Sequence, residues 1–88
     1  MPITFDPAKD AKNLAVHKVS LAFGALVLAD AVGVVEDERQ NYGETRMKAF
    51  AEVGGLWWAC VFTVRGDETR IISVHRVKER EARRWLQE

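Results

Sequence analysis

The side chains of this sequence that can bind a phosphodiester or exchange a proton with it lie mainly in its second half. They are arginines and a lysine, whose cationic groups bind phosphate oxygens, together with one serine and one histidine. A histidine can exchange a proton near neutral pH, and a serine hydroxyl can orient a phosphate. The residues that carry this chemistry are Arg46, Lys48, Arg65, Arg70, Ser73 and His75.

The distribution of charge agrees with this position. The 88 residues include 13 Lys/Arg and 13 Asp/Glu, which give a formal net charge of zero. Residues 1–45 hold four basic and seven acidic side chains, whereas residues 46–88 hold nine and six. We therefore expect a polyanion to meet the second half of the chain, although charge alone is equally consistent with a solvated mixed surface.

Composition limits the classes of protein to which the chain can belong. Its length, with 48% hydrophobic and 30% charged residues, predicts a single globular domain over residues 1–88. The longest apolar run, residues 56–62, is too short to cross a bilayer, and no secretory signal is visible. The single cysteine, Cys60, can form neither an internal disulfide nor a zinc cluster, so no metal site is predicted. We expect a cytoplasmic protein without membrane contact.

The hydrophobic periodicity predicts an α+β fold. Asp6-Pro7 is typical of a helix start, Ser20 of a second one, and the first helix is expected to bury Ala11, Leu14 and Ala15. Alternation with period two from residue 46 predicts strands with one buried face. The predicted strands are residues 3–5, 31–36, 46–53, 56–65 and 71–77, and the predicted helices are residues 7–17, 21–29 and 79–87. We expect two N-terminal helices and a C-terminal helix around a twisted antiparallel sheet, packed against one of its faces.

The turns between strands predict which side chains share a face. Gly54-Gly55 is typical of a two-residue turn that pairs residues 46–53 with residues 56–65. A five-residue loop at residues 66–70 would then place Thr63 opposite Ser73 and Val61 opposite His75. Two rows are expected on the uncovered face: Arg46, Thr63, Ser73, and Lys48, Val61, His75. The same face is expected to carry Phe50, Trp57 and Arg65, with Arg70 in the turn.

The sequence resembles the BrnT toxins of bacterial toxin–antitoxin pairs over nearly its whole length. The residues that carry the resemblance are Phe5-Asp6-Pro7-Ala8-Lys9, Asn13-Leu14, His17, Val19-Ser20, Asp37-Glu38-Arg39, Tyr42-Gly43-Glu44, Arg46, Arg65-Gly66-Asp67, Arg70-Ile71-Ile72-Ser73 and Arg80-Glu81. The chain departs from the family pattern at Asn41, Val64 and His75. At His75 an arginine is usual, so a permanent charge is exchanged for one that titrates near neutrality.

The resemblance implies a RelE-like fold and an RNA-cleaving toxin that inhibits translation. It also implies a BrnA-type antitoxin with a DNA-binding segment, which neutralises the toxin in a hetero-oligomer. RNA carries its own nucleophile, the 2′-hydroxyl, so the implied cleavage needs no metal or other cofactor and yields a 2′,3′-cyclic phosphate and a 5′-hydroxyl. The expected catalytic residues are His75, Arg65, Arg70, Lys48 and Ser73, and the expected RNA-binding residues are Arg46, Trp57, Phe50 and Arg80.

Several assignments have a structural alternative. His75 is equally well explained as a histidine on the surface of the sheet, and His17 is better explained as a helix-cap or packing residue. Trp57 and Phe50 can stack on a base or lie beneath an antitoxin helix. The acidic loop of residues 36–44 is expected to be structural or to contact a partner. Besides an endoribonuclease, the sequence allows a catalytically weakened protein-binding module or a simple nucleic-acid-binding domain.

Overall fold

The computed structural model describes residues 2–87 as a five-stranded mixed sheet with three α-helices, which confirms the α+β class. The strands are β1 (Ile3–Thr4), β2 (Gly33–Glu36), β3 (Met47–Val53), β4 (Leu56–Arg65) and β5 (Glu68–Arg76), in the spatial order β1-β5-β4-β3-β2. The helices are α1 (Pro7–His17), α2 (Gly24–Ala29) and α3 (Glu79–Leu86), and a 3₁₀ turn at Leu21–Phe23 leads into α2. Met1 and Glu88, the ends of the predicted domain, lie outside the described residues.

The predicted starts of both N-terminal helices are confirmed. The Asp6 carboxylate accepts a hydrogen bond from the Ala8 N–H at 3.0 Å, with a proline at the first helical position. The Ser20 hydroxyl accepts one from the Ala22 N–H at 3.1 Å and donates one to the Asp10 carboxylate at 2.9 Å. Because Asp10 belongs to α1, the first helix also holds the start of the next one in place.

Two turns that contain glycine set the register of the central strands. Gly54 and Gly55 have φ values of 63° and 79°, as a type I′ turn requires, and the predicted pairing of β3 with β4 is confirmed. The predicted five-residue loop between β4 and β5 is wrong, because β4 ends at Arg65 and β5 begins at Glu68. Gly66, with a φ of 61°, lets the chain reverse within two residues.

A β-bulge makes a further change to the predicted register of β5. The pairing shifts between Val61, which faces Ser73, and the next residue of β4, which faces Ile71. Ile72 is therefore the extra residue of the bulge. The predicted pairs of Thr63 with Ser73 and of Val61 with His75 are both wrong, because the turn is three residues shorter than predicted and the bulge recovers only one residue of that shift.

The helices lie on both faces of the sheet, which corrects the prediction that they share one. α2 packs through Val27 on the face that carries Cys60, and α3 packs through Ala82 on the opposite face, which carries Phe50. The sheet is mixed, not antiparallel, because β1 runs parallel to β5. The central strands β3 and β4 have an apolar side on each face of the sheet, and a helix covers each of these two faces.

α1 is attached to the edge of the sheet by a polar side chain. The predicted apolar face of this helix is wrong, because Ala11, Leu14 and Ala15 are exposed, Leu14 by 48%. The buried residue of α1 is Asn13, which is 6% exposed and forms two hydrogen bonds with the backbone of Val74 in β5. Because β1 is only two residues long and pairs with Thr69 and Arg70, Asn13 supplies at Val74 the hydrogen bonds that a neighbouring strand would otherwise make.

No single helix within residues 2–87 has the length and apolar character needed to cross a membrane. α1 and the segment Leu21–Ala29 reach that length and apolar character only in combination, and the two are bent by 91° relative to each other.

Candidate active site

Neighbouring rows of side chains form the candidate site on the sheet face that also receives α3. These rows are Thr63–Arg70, Lys48–Val61–Ser73 and Phe50–Ala59–His75, and Arg46 directly precedes β3 beside the first of them. Lys48 and Ser73 flank Val61 at a backbone separation of roughly 10 Å. The sequence predicted Ser73 in the same row as Arg46 and His75 in the same row as Lys48. The bulge and the shorter turn place Ser73 in the row of Lys48 and move His75 one row further.

α3 covers one end of this face. Phe50 is 0% exposed, and its ring centroid lies 6.1 Å from that of Trp85. The prediction that Phe50 stacks on a base is therefore wrong, because its ring is enclosed. Trp57 is half-buried in the same cluster, with the Arg83 guanidinium 5.8 Å from its ring centroid. The helix α3 of the same chain therefore covers apolar surface that was predicted to contact an RNA base or an antitoxin helix.

Lys48 is a buried cation at the centre of the site, 3% exposed. Its Nζ lies 4.2 Å from the ring centroid of Trp85, and no ion pair to a carboxylate is found for it within residues 2–87. Burial and the nearby Arg39 guanidinium lower the pKa of Lys48, while Glu81 and Asp37 act in the opposite direction. This lysine gives up its proton more readily than one in water and, while charged, attracts an anion to the site.

His75 is half-buried in the third row and lies against the end of α1. Its ring centroid is 5.4 Å from that of His17. Burial lowers the pKa of His75 to about 4, and the fields of Lys48 and His17 act in the same direction, opposed by Glu81. The imidazole is therefore neutral at pH 7, the state that can accept a proton.

The arginines of the site differ in their partners. Glu44 forms ion pairs with both Arg46, at 3.7 Å, and Arg65, at 3.1 Å. Arg46 also lies over the ring of Tyr42, at 4.2 Å, and its buried Nε has no hydrogen-bond partner. No ion pair of Arg70 is found in the described part of the chain. The acidic loop therefore has a structural role, holding two arginines at the site and leaving Arg70 available to an anion.

The turn after β2 is fixed by a buried carboxylate. Asp37 accepts hydrogen bonds from Arg39 Nε at 2.9 Å and Nη2 at 2.8 Å, and one from the Tyr42 hydroxyl at 3.2 Å. The Arg39 side chain lowers the pKa of Asp37 to about 2 despite burial, and the pKa of Arg39 rises in return. The same guanidinium lies 5.0 Å from the ring centroid of Trp85, which places it close enough to lower the pKa of Lys48.

Arg80 lies apart from these rows. It is exposed on the first turn of α3, where it lines a cavity of about 550 Å³. The other residues around this cavity are Arg76, Val77, Lys78, Glu81 and Arg84. An RNA contact of Arg80 would therefore fall outside the central part of the candidate site.

A cleft between α1 and β5 was missed by the sequence analysis. This α1–β5 cleft is a cavity of about 270 Å³, lined by Lys9, Lys12, Asn13, Val16, His17, Ile72 and Ser73. His17 was expected to cap or pack, but it is exposed and its ring faces that of His75. The helical spacing of Lys9, Lys12 and Asn13 could have shown that one face of α1 is polar and cationic.

Two further features bear on the chemistry. No group of three or more His, Cys, Asp or Glu side chains is arranged to hold a metal ion within residues 2–87. Cys60 is buried in the core beneath α2, and this burial raises the pKa of its thiol to about 12. Cys60 is therefore unreactive as a nucleophile.

The fold and the site together define an α+β protein with a cationic sheet face suited to a polyanion. Comparison with protein-family models gives a match over residues 5–81 to the family described as ribonuclease toxin, BrnT, of type II toxin–antitoxin system. The chain belongs to this family, so the resemblance noted in its sequence is confirmed. Membership implies an RNA target and an antitoxin partner. No curated protein matches the chain.

Proposed function

We propose that the chain is an endoribonuclease, the toxin of a type II toxin–antitoxin system. The observation that carries this proposal is a neutral, half-buried His75 on the same sheet face as the buried cation of Lys48 and the unpaired Arg70. A base can remove the proton of a hydroxyl, and cations without carboxylate partners can stabilise the charge that develops on a neighbouring phosphate. The family description supports RNA as the target.

The 2′-hydroxyl of RNA is the nucleophile in the proposed reaction. Its oxygen forms a bond to phosphorus while the bond from phosphorus to the 5′-oxygen breaks, which yields a 2′,3′-cyclic phosphate and a 5′-hydroxyl. We assign removal of the 2′ proton to His75, stabilisation of the charge on phosphorus to Lys48 and Arg70, and orientation of the phosphate to Ser73. Because the substrate supplies the nucleophile, the reaction needs no metal or other cofactor.

Arg46 and Arg65 are assigned to the RNA backbone beside the scissile bond. Both are held by Glu44, so a phosphate has to compete with this carboxylate for them. Guanidinium groups bind phosphate oxygens through two parallel hydrogen bonds, which favours the exchange. Arg80 and the uncovered part of Trp57 extend the RNA contact towards α3.

The cellular role that we propose is inhibition of translation in the cytoplasm. A BrnA-type antitoxin with a DNA-binding segment would neutralise the toxin in a hetero-oligomer. The family description supports an antitoxin partner of the type II class. We also propose that residues 1–88 act as a single domain and that their fold is RelE-like.

Expression in a bacterial host, with and without the antitoxin, tests this proposal. Wild-type protein is expected to arrest growth and fragment messenger RNA, and the antitoxin is expected to prevent both. Arg70→Ala is expected to abolish the arrest, whereas Lys18→Asn, which removes an exposed cation at a left-handed position, is expected to leave it unchanged. Thermal unfolding of each variant shows whether the fold is kept. Normal growth and intact RNA at equal expression would refute the proposal that the chain is an endoribonuclease.

The ion pairs of Glu44 favour a second candidate, a catalytically weakened module that docks an antitoxin through its sheet face. Two cations of the site, Arg46 and Arg65, already share one carboxylate, Glu44, within the chain. His75 also stands where the family pattern has an arginine. This module would bind the antitoxin but leave RNA intact, so incubation of the purified protein with RNA distinguishes the two candidates.

A further inference from the structure

The α1–β5 cleft places a second histidine against the first. His17 is the last residue of α1 and lines the cleft together with Ser73. Its ring centroid is 5.4 Å from that of His75, and the two ring planes are inclined by 35°. Two imidazoles at this separation can reach the entering and the leaving oxygen of one phosphodiester.

The walls of the cleft suit an anion. Lys9 and Lys12 line it from α1, and neither forms an ion pair within residues 2–87. Ser73 adds a hydroxyl from β5, and no carboxylate is among the residues that line the cavity. The amide of Asn13 is already engaged by the backbone of β5 and is not available to a ligand. A phosphodiester is the anion that the proposed function would bring here.

The proposed cleavage needs a proton donor that His75 does not provide. The departing 5′-oxygen is a poor leaving group until it is protonated, whereas His75 is neutral at pH 7 and serves as the base. Charged groups face His75 from three further elements: Lys48 from β3, Glu81 from α3 and Arg39 from the turn after β2. His75 itself is not among the residues that line the cleft, and of the titratable groups that act on it only His17 lines the cleft as well. His17 is also exposed to solvent, with which it can exchange a proton.

We propose that His17 is a catalytic residue of the RNA cleavage described above, acting with His75 on a phosphodiester bound at Ser73, where the α1–β5 cleft meets the row of Lys48. This inference rests on the proposed function. His75 takes the proton of the 2′-hydroxyl, and the 2′-oxygen forms its bond to phosphorus. The bond from phosphorus to the 5′-oxygen breaks, and that oxygen takes a proton from the His17 imidazolium. Both histidines return to their starting states by proton exchange with water, and no other reactant is consumed.

The test compares two substrates that differ in the leaving group. One is an RNA oligonucleotide that the wild-type protein cleaves, and the other carries sulfur in place of the 5′-bridging oxygen at the same bond. A thiolate departs without protonation, so only the first substrate depends on a proton donor. His17→Asn is expected to lower cleavage of the oxygen substrate about 100-fold and to cleave the sulfur substrate within about threefold of wild type. His75→Asn is expected to lower cleavage of both.

The outcomes separate this inference from the proposed function. An equal loss on both substrates in His17→Asn, or no loss on either, overturns the catalytic role of His17 and leaves the endoribonuclease standing. If the wild-type protein cleaves no RNA, the proposed function and this inference both fail. Lys18→Asn, at the next residue, is the control and is expected to match wild type on both substrates. His17→Gln serves as the second variant if His17→Asn does not fold, as judged by its thermal unfolding.

Discussion

Asn13 and Val74 are joined by two hydrogen bonds that substitute for a missing strand. Asn13 Nδ2 donates to the Val74 carbonyl at 2.8 Å, and the Val74 N–H donates to Asn13 Oδ1 at 3.2 Å. Nδ2 also donates to the Val19 carbonyl at 2.9 Å. One buried amide thus holds α1 against β5 and keeps His17, a turn further along α1, beside His75.

Loss of this amide is expected to destabilise the protein. Asn13→Ala leaves the buried backbone groups of Val74 without partners, and we expect the free energy of unfolding to fall by about 3 kcal/mol. Asn41→Ala, at an exposed asparagine in the acidic loop, is the control and is expected to cost no more than about 0.5 kcal/mol. Urea titration measures both values. A cost below about 1 kcal/mol for Asn13→Ala would contradict the role of this contact.

We expect the buried charge of Lys48 to serve RNA cleavage while it lowers the free energy of unfolding. Lys48→Met removes a buried charge without a carboxylate partner and keeps a similar volume, so we expect the free energy of unfolding to stay equal or rise by about 1 kcal/mol. The lost contact with Trp85 opposes this gain. RNA cleavage is expected to fall about 100-fold. Lys78→Met, at an exposed lysine, is the control for stability. A loss of stability greater than about 2 kcal/mol would show that the lysine is structural.

The lowered pKa of His75 is expected to make stability depend on pH. The unfolded chain binds a proton at this histidine near its ordinary pKa of 6.5, whereas the folded protein binds it only near about 4. The stabilising effect is therefore complete above pH 6.5 and is lost as the pH falls through this window. After allowance for solvent screening we expect it to be about 2 kcal/mol. His75→Gln is expected to remove this part of the acid sensitivity, measured by urea titration at pH 7.5 and 4.5. Equal sensitivity in the two proteins would contradict the shift.

Glu44 is expected to limit the affinity for RNA. Glu44→Gln releases the guanidinium groups of Arg46 and Arg65, and we expect it to raise RNA affinity about three- to tenfold at low salt and less at high salt. Glu38→Gln changes charge equally in the same loop, and no ion pair of Glu38 is found within residues 2–87. Fluorescence anisotropy with a labelled RNA compares the two variants. Equal gains would show that net charge alone is responsible.

Parts of the candidate site were predictable because the strands alternate. Period-two spacing placed Lys48, Ser73 and His75 on one face, and the structure keeps all three there. The rows within that face were predicted wrongly, because the turn between β4 and β5 is three residues shorter than expected and the bulge at Ile72 has no strong local signal. The burial of Phe50 was missed for a different reason. Alternation shows that a strand has two faces but does not show which helix covers each of them.

The sequence by itself determined the features that depend on neighbouring residues: the caps at Asp6 and Ser20, the turn at Gly54-Gly55 and the family of the chain. Such features need only the backbone and side chains within a few positions. The tertiary structure alone decided that α3 crosses the face opposite α2 and that Asn13 completes the edge of β5. It also decided that His17 meets His75. These contacts join residues far apart in the chain, and they form because buried polar groups must find partners wherever the packed elements bring them together.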